Sequence, residues 1–212
     1  MNKERKVLDY YMLCNKLKDV VRTGWKDWNV KRERVESIAE HIFGTQMLAI
    51  AIKSEYEYDI DIMKVIYMLA IHELGEAVIG DLTEFQITRE EKEKIEHKAV
   101  HEILSPLIDG EQIEKLFLEF DARETKEAKF AYLCDKMEFD MQFKIYQDMG
   151  LQKELNNQEN NVVFKNEKIN KMLEDGAKTP FDICCEWDES KFKDEPTFNK
   201  ILKYIKENNT NI

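Results

Sequence analysis

Glycine and proline are scarce in this chain, at seven and three in 212 residues. So few turn formers cannot punctuate the many tight connections of an all-β fold, and the composition leans helical. No apolar run reaches the roughly 18 residues of a membrane-spanning helix. The opening MNKERKVLDYYMLC lacks the apolar stretch of a signal peptide. Cysteine is limited to Cys14, Cys134, Cys184 and Cys185, with no C-x-x-C pair. A disulfide between the vicinal Cys184 and Cys185 would be strained, so the four read as reduced thiols of a cytoplasmic protein. Positive charge is also short. Against 43 acidic residues stand 32 Lys and Arg, for a net charge of −11. Phosphate repulsion then argues against a nucleic acid polymer as partner. A small phosphorylated ligand remains open if a metal or a local basic cluster supplies the missing charge.

What is present is apolar periodicity. Hydrophobic residues make up 43% of the chain and charged residues 35%, enough for a core under a well-solvated surface. Val7, Tyr10, Tyr11, Leu13, Cys14, Leu17 and Val20 predict an amphipathic helix over 4–20. The segment 22–34, with Gly24 and two tryptophans, reads as a loop. A helix is expected over about Ser37–Tyr56, capped by Ser37 with Glu40 at capping-box distance. Another starts near Asp59 or Asp61 and ends around Gly75 and Gly80. Thr88, with Glu91 three residues on, opens a further helix that Pro106 and Gly110 stop. Residues 111–120 and 124–149 read as a short and a long helix, and the tail as two more. No alternating strand pattern and no repeat occurs. The fold class is all-α, and one domain fits the length.

Four metal-ligand types fall on three of these helical segments: His41, the pair His72–Glu73, and Asp135. His72 shares the apolar stripe of Val65 and Leu69, and Asp135 is flanked by Leu133, Cys134 and Met137. A carboxylate in such a position is costly to bury without a cation or hydrogen-bonding partner. Imidazole with carboxylate suits one divalent transition metal, among Mn²⁺, Co²⁺, Fe²⁺, Zn²⁺ and Ni²⁺. Singly, each residue also reads as a satisfied core histidine or a solvated acid. HELGE is not the zinc-protease H-E-x-x-H, because residue 76 is Glu.

The blocks VESIAEHIFG (35–44), AIHELGEAVIGDLTEF (70–85) and KFAYLCDKMEFDMQ (129–142) resemble, in order and spacing, those of the HD-domain superfamily. The likeness is strongest to its 5′-deoxynucleotidase branch, and RTGW (22–25) is similar to the loop preceding the first block there. The resemblance spans about residues 5–150. One departure stands out: Glu73 occupies the position of the family's eponymous Asp. Glu is one methylene longer and still a carboxylate.

This resemblance implies a helical bundle, one HD domain over residues 1–212, with 151–212 a C-terminal helical extension of open role. It implies a metal held by His41, His72, Glu73 and Asp135, with Glu76 and Asp81 as the acid/base pair of the H-D-x-x-E-x-x-x-x-D pattern. It implies hydrolysis of deoxyribonucleoside 5′-monophosphates by a homodimer; the lack of a long apolar run argues separately against a membrane partner. The alternatives are an HD phosphohydrolase acting on nucleoside triphosphates or another small phosphoester, and a catalytically weakened metal- or nucleotide-binding protein. In loop 22–34, Arg22 reads as a phosphate clamp or a solvated side chain, and Trp25 as a ring against the sugar or a cap on the core. Lys31, Arg32 and Arg34 read as a steering patch or a solvated turn. His97 and His101, four apart in an E/K-rich stretch, read as exposed rather than ligating.

Overall fold

The computed structural model describes residues 2–152, 155 and 161–210. Among the described residues the regular structure is helical, with one isolated β-bridge between Val21 and Ser37. The chain forms two compact units. The first comprises the chain up to Thr23 together with Glu36–Cys134, and the second comprises Gly24–Val35 with the chain from Asp135 onward.

The first unit opens with α1 (Lys3–Asn15), followed by a 3₁₀ turn, Lys16–Lys18. The helix expected over 4–20 therefore ends early and tightens at its C-terminus. Then come α3 (Ile38–Glu55), α4 (Ile62–Ile71), the single turn α5 (Glu76–Ile79), α6 (Arg89–Leu104) and α7 (Gly110–Ala122). The caps are those the sequence announces. The Ser37 hydroxyl accepts from the Glu40 N–H while the Glu40 carboxylate accepts from the Ser37 N–H, and Thr88 and Glu91 do the same for α6. Asp61 caps α4, accepting from the N–H groups of Met63 and Lys64. Ile71, Leu74, Val100, Ile103, Leu104 and Phe117 form the core, with Leu17, Ile38 and Ala77 a second cluster.

The second unit holds most of α2 (Thr23–Asp27), a short helix inside the segment expected to be a loop. Trp25 is the reason. Its ring is completely buried, stacked on Phe139 at 4.8 Å and edge-on to Tyr146 at 5.1 Å. Phe139 and Tyr146 lie on α8 (Lys126–Asp148), one unbroken helix that begins in the first unit. After a 3₁₀ turn (Val162–Lys165) come α9 (Glu167–Glu174), α10 (Pro180–Phe192) and α11 (Pro196–Glu207). The tail thus has three helices rather than two. The one not anticipated, α10, carries a full start signal: Thr179 and Asp182 form a capping box and Pro180 sits at the first helical position.

Candidate active site

His41 projects from the buried face of α3 that also carries Ile38, Thr45, Ala49 and Ile52, and it has no exposed surface. His72 is the C-cap of α4, so the His72–Glu73 pair sits in the turn after the helix rather than within it. The His72 Nδ1 lies 2.8 Å from the Leu69 carbonyl. A carbonyl oxygen only accepts, so Nδ1 is the donor here, and Nε2 is the nitrogen a metal would use. Nε2 is 3.7 Å from Glu73 Oε1, and the His41 and His72 rings are 5.5 Å apart. Asp135 follows Cys134 on α8 and is 4% exposed, with Lys136 Nζ 2.8 Å from its Oδ2.

Within the first unit, His41, His72 and Glu73 each present one ligand atom, and these atoms all lie within 4.8 Å of one another. Two imidazoles and a carboxylate form a mixed donor set of the kind that suits one divalent transition metal. The longer Glu73 reaches the same cluster as the two histidines.

Two glycines shape the acidic side of the site. A Cβ at Gly75 would meet Glu96 Cγ at 2.7 Å, so a larger residue there would push the Glu96 side chain aside. Gly80 caps α5 with φ +75° and turns the chain into Asp81. Between them stands Glu76, 1% exposed. Lys92 Nζ of α6 lies 3.1 Å from Glu76 Oε1, while Glu76 Oε2 is buried without a hydrogen-bond partner. Burial pushes the Glu76 carboxyl well above the usual carboxylate range; Glu73 and Asp81 add to the rise and Lys92 opposes it. Burial, reinforced by Glu73, pushes Glu96 up to about 8. For Lys92, burial favours the neutral form, but Glu73, Glu76 and Glu96 outweigh it and hold the ammonium above its ordinary pKa.

Asp81 reaches the RTGW segment. The Thr23 N–H donates to Asp81 Oδ2 at 2.6 Å. Arg22, half-buried, is held through its backbone, whose N–H donates to the Glu36 carbonyl at 3.1 Å. Trp25, enclosed by rings, presents no face for a sugar in this arrangement. Lys31, Arg32 and Arg34 are exposed, with the Arg32 guanidinium 5.8 Å from the Tyr146 ring centroid. His97 and His101 face acids of α7 instead of a shared ion: His97 Nε2 is 2.6 Å from Asp121 Oδ2, and His101 Nδ1 is 3.1 Å from Glu114. Cys184 and Cys185 are free, buried thiols that burial pushes upward in pKa, so they are poor nucleophiles.

Sequence reasoning missed Lys92, Glu96, Lys136 and Thr23. The first two lie on a stripe that becomes readable only once Val100 is known to be buried. Stepping back by fours from the buried Val100 gives Glu96 and then Lys92, on the stripe that packs inward.

The sequence matches the HD domain family over residues 14–175, and the chain belongs to that family. The match crosses both compact units. Among its relatives is a 5′-deoxynucleotidase HDDC2 of Dictyostelium discoideum, 34% identical over 148 residues, covering 66% of this chain and 77% of the relative. Solved structures agree on the fold. A conserved hypothetical protein from Pyrococcus furiosus superposes with a TM-score of 0.62 at 23% identity, over 95% of this chain and 99% of that one. A predicted metal-dependent phosphohydrolase from Magnetospirillum magnetotacticum MS-1 gives 0.57 at 25% identity, over 70% and 74%.

Proposed function

We propose that this chain is a metal-dependent 5′-deoxynucleotidase, hydrolysing deoxyribonucleoside 5′-monophosphates to the deoxynucleoside and phosphate. The observation that carries this reading is the convergence of His41, His72 and Glu73 within 4.8 Å, beside the buried carboxyl of Glu76; Asp135 is the fourth ligand that the family blocks imply. The names of the relatives supply the substrate class.

His41, His72, Glu73 and Asp135 would hold a divalent ion, which would supply acidified water and offset charge on the phosphoryl group. The chain's own residues do the rest. Glu76 Oε2, buried and without a hydrogen-bond partner, takes a proton from the attacking water. The water oxygen bonds to phosphorus as the P–O5′ bond breaks, and the electron pair leaves with O5′, which gains a proton. Asp81, close enough to influence the charge of Glu76, assists that last transfer. Arg22 pairs with the phosphate through its planar fork. Trp25, buried among the rings of α8, anchors the segment that presents Arg22 and acts on the sugar only indirectly.

We further infer a homodimer working in the cytoplasm. Phe43, Met47 and Ile50 form an exposed apolar row on α3, 63%, 42% and 46% exposed, of the kind that contacts between chains cover. The free cysteines suit a reducing compartment, and among the described residues no helix is long and apolar enough to cross a membrane.

The test is phosphate release by purified protein, with Mn²⁺ or Co²⁺ supplied, across deoxy- and ribonucleoside mono-, di- and triphosphates. The expected result is turnover of the deoxynucleoside monophosphates. Turnover of triphosphates alone, or of nothing with any metal, overturns the assignment. Light scattering on the same sample reads the mass of the assembly.

A further inference from the structure

The Glu76 carboxylate is unequally served. One oxygen, Oε1, is 3.1 Å from the Lys92 ammonium, and the other, Oε2, is buried without a hydrogen-bond partner. Lys92 is drawn in from α6. Its side chain is 27% exposed, whereas that of Glu76 is 1% exposed. A lysine that gives up most of its hydration needs close anionic partners. Glu73, Glu76 and Glu96 surround this spot, each offering an oxygen within 4.8 Å of the others. Glu73 belongs to the metal cluster, and Glu96 lies one helical turn beyond Lys92, against Gly75.

We propose that Lys92 is a positioning residue for the reaction. Its ammonium pins Oε1 of Glu76, so that the carboxylate has one rotational setting and Oε2 is the atom presented to water. Lys92 touches neither substrate nor metal in this role and acts through Glu76. A carboxylate free to rotate would divide its time between two settings, and misorientation of a proton acceptor is felt in the chemical step. Glu96 completes the acidic collar that draws the lysine inward, and Gly75 lets α6 come close enough for the lysine to reach. The proposal rests on the 5′-deoxynucleotidase reading for its kinetic arm alone.

Steady-state kinetics of Lys92→Met and Lys92→Arg on a deoxynucleoside monophosphate form that arm. Lys92→Met is expected to lower kcat by about 10- to 100-fold, part of the 10²–10⁴ typical of acid–base catalysis, with KM moved less than about threefold. Lys92→Arg, which keeps charge and donors, is expected to recover most of the lost kcat. An unchanged kcat in Lys92→Met, or a loss carried by KM, overturns the proposal. Lys92→Gln replaces Lys92→Met if the latter does not fold.

The second arm needs no activity. Thermal unfolding is measured for Lys92→Met, Glu76→Gln and the double variant. Removing one partner of a buried pair strands the other, so the double is expected to lose clearly less Tm than the two singles added together. Additive losses overturn the pairing. If the wild-type protein releases no phosphate from any nucleotide, the proposed function falls, and this cycle still decides the role of Lys92.

Discussion

Thr23 and Asp81, 58 residues apart, are joined twice: the Thr23 N–H donates to Asp81 Oδ2 at 2.6 Å, and the Thr23 hydroxyl donates to the Asp81 carbonyl at 2.7 Å. The first bond also satisfies a backbone donor at the start of α2. The residue before Thr23 is Arg22. The turn after Gly80 and the arginine's backbone are thereby fixed to each other.

Thr23→Val keeps the backbone bond and removes the hydroxyl. A part-buried hydrogen bond contributes about 0.5–1.5 kcal/mol. The variant should melt a few degrees lower, and KM for deoxynucleoside monophosphates should rise about three- to tenfold, the same energy read as affinity. Kinetics with kcat held within twofold would show that the bond positions Arg22 and leaves the chemistry alone.

Glu73 is one methylene longer than aspartate and still joins the ligand cluster. Glu73→Ala should weaken Mn²⁺ or Co²⁺ binding by at least about tenfold, as calorimetric titration would read. Glu73→Asp should retain the metal. For the wild type, a metal present at 100 times its Kd adds about 2.7 kcal/mol, so chelation should lower Tm by roughly 5–10 °C. A Tm indifferent to chelation would contradict a bound ion in the folded protein.

Gly75 permits the close approach of the α4–α5 turn to α6. The Cβ added by Gly75→Ala would stand 2.7 Å from Glu96 Cγ and 3.4 Å from the Glu96 carbonyl oxygen. Overpacking of this kind costs typically 1–3 kcal/mol. Denaturant titration should show that loss, and kcat should fall as well, because the displaced strip of α6 also carries Lys92.

Asp140, on α8, has no exposed surface, and neither carboxylate oxygen has a hydrogen-bond partner. Burial, with Asp188 adding, pushes its carboxyl well above the usual range, against Lys191, Lys136 and Lys206; Cys184 and Cys185 of α10 lie in the same field. A folded-state pKa above the unfolded value of about 3.9 means that stability is fully present below that pH and is lost as pH rises through the folded pKa. Asp140→Asn, which mimics the protonated acid, should therefore raise Tm at pH 7 to 8. The gain should shrink toward pH 4. Equal Tm values across the whole range would show that Asp140 carries no such strain.

The helices that place the ligands were readable because their start signals are local. Ser37 with Glu40, Asp61, and Thr88 with Glu91 each satisfy backbone donors a few residues away, and the four candidate ligands lie in short blocks of recognisable order. The rest depends on contacts that spacing does not encode. Lys92 and Glu96 look like members of an exposed charged face until the depth of Val100 fixes which side of α6 turns inward. Trp25 was open between two readings, and only the rings of Phe139, Phe143 and Tyr146, more than a hundred residues downstream, decide where it sits. Thr23 carries no chemical hint at all; its partner is 58 residues away.

Asp135, Phe139, Phe143 and Tyr146 are strung along one uninterrupted rod, α8, at intervals that favour a shared side. The acid that the family blocks imply as a ligand and the rings that seat the tryptophan therefore turn together or not at all. A lesion in that aromatic nest, with every ligand intact, would surface in the laboratory as poor ion retention, and a screen for impaired metal loading would recover tryptophan and phenylalanine variants alongside the histidines.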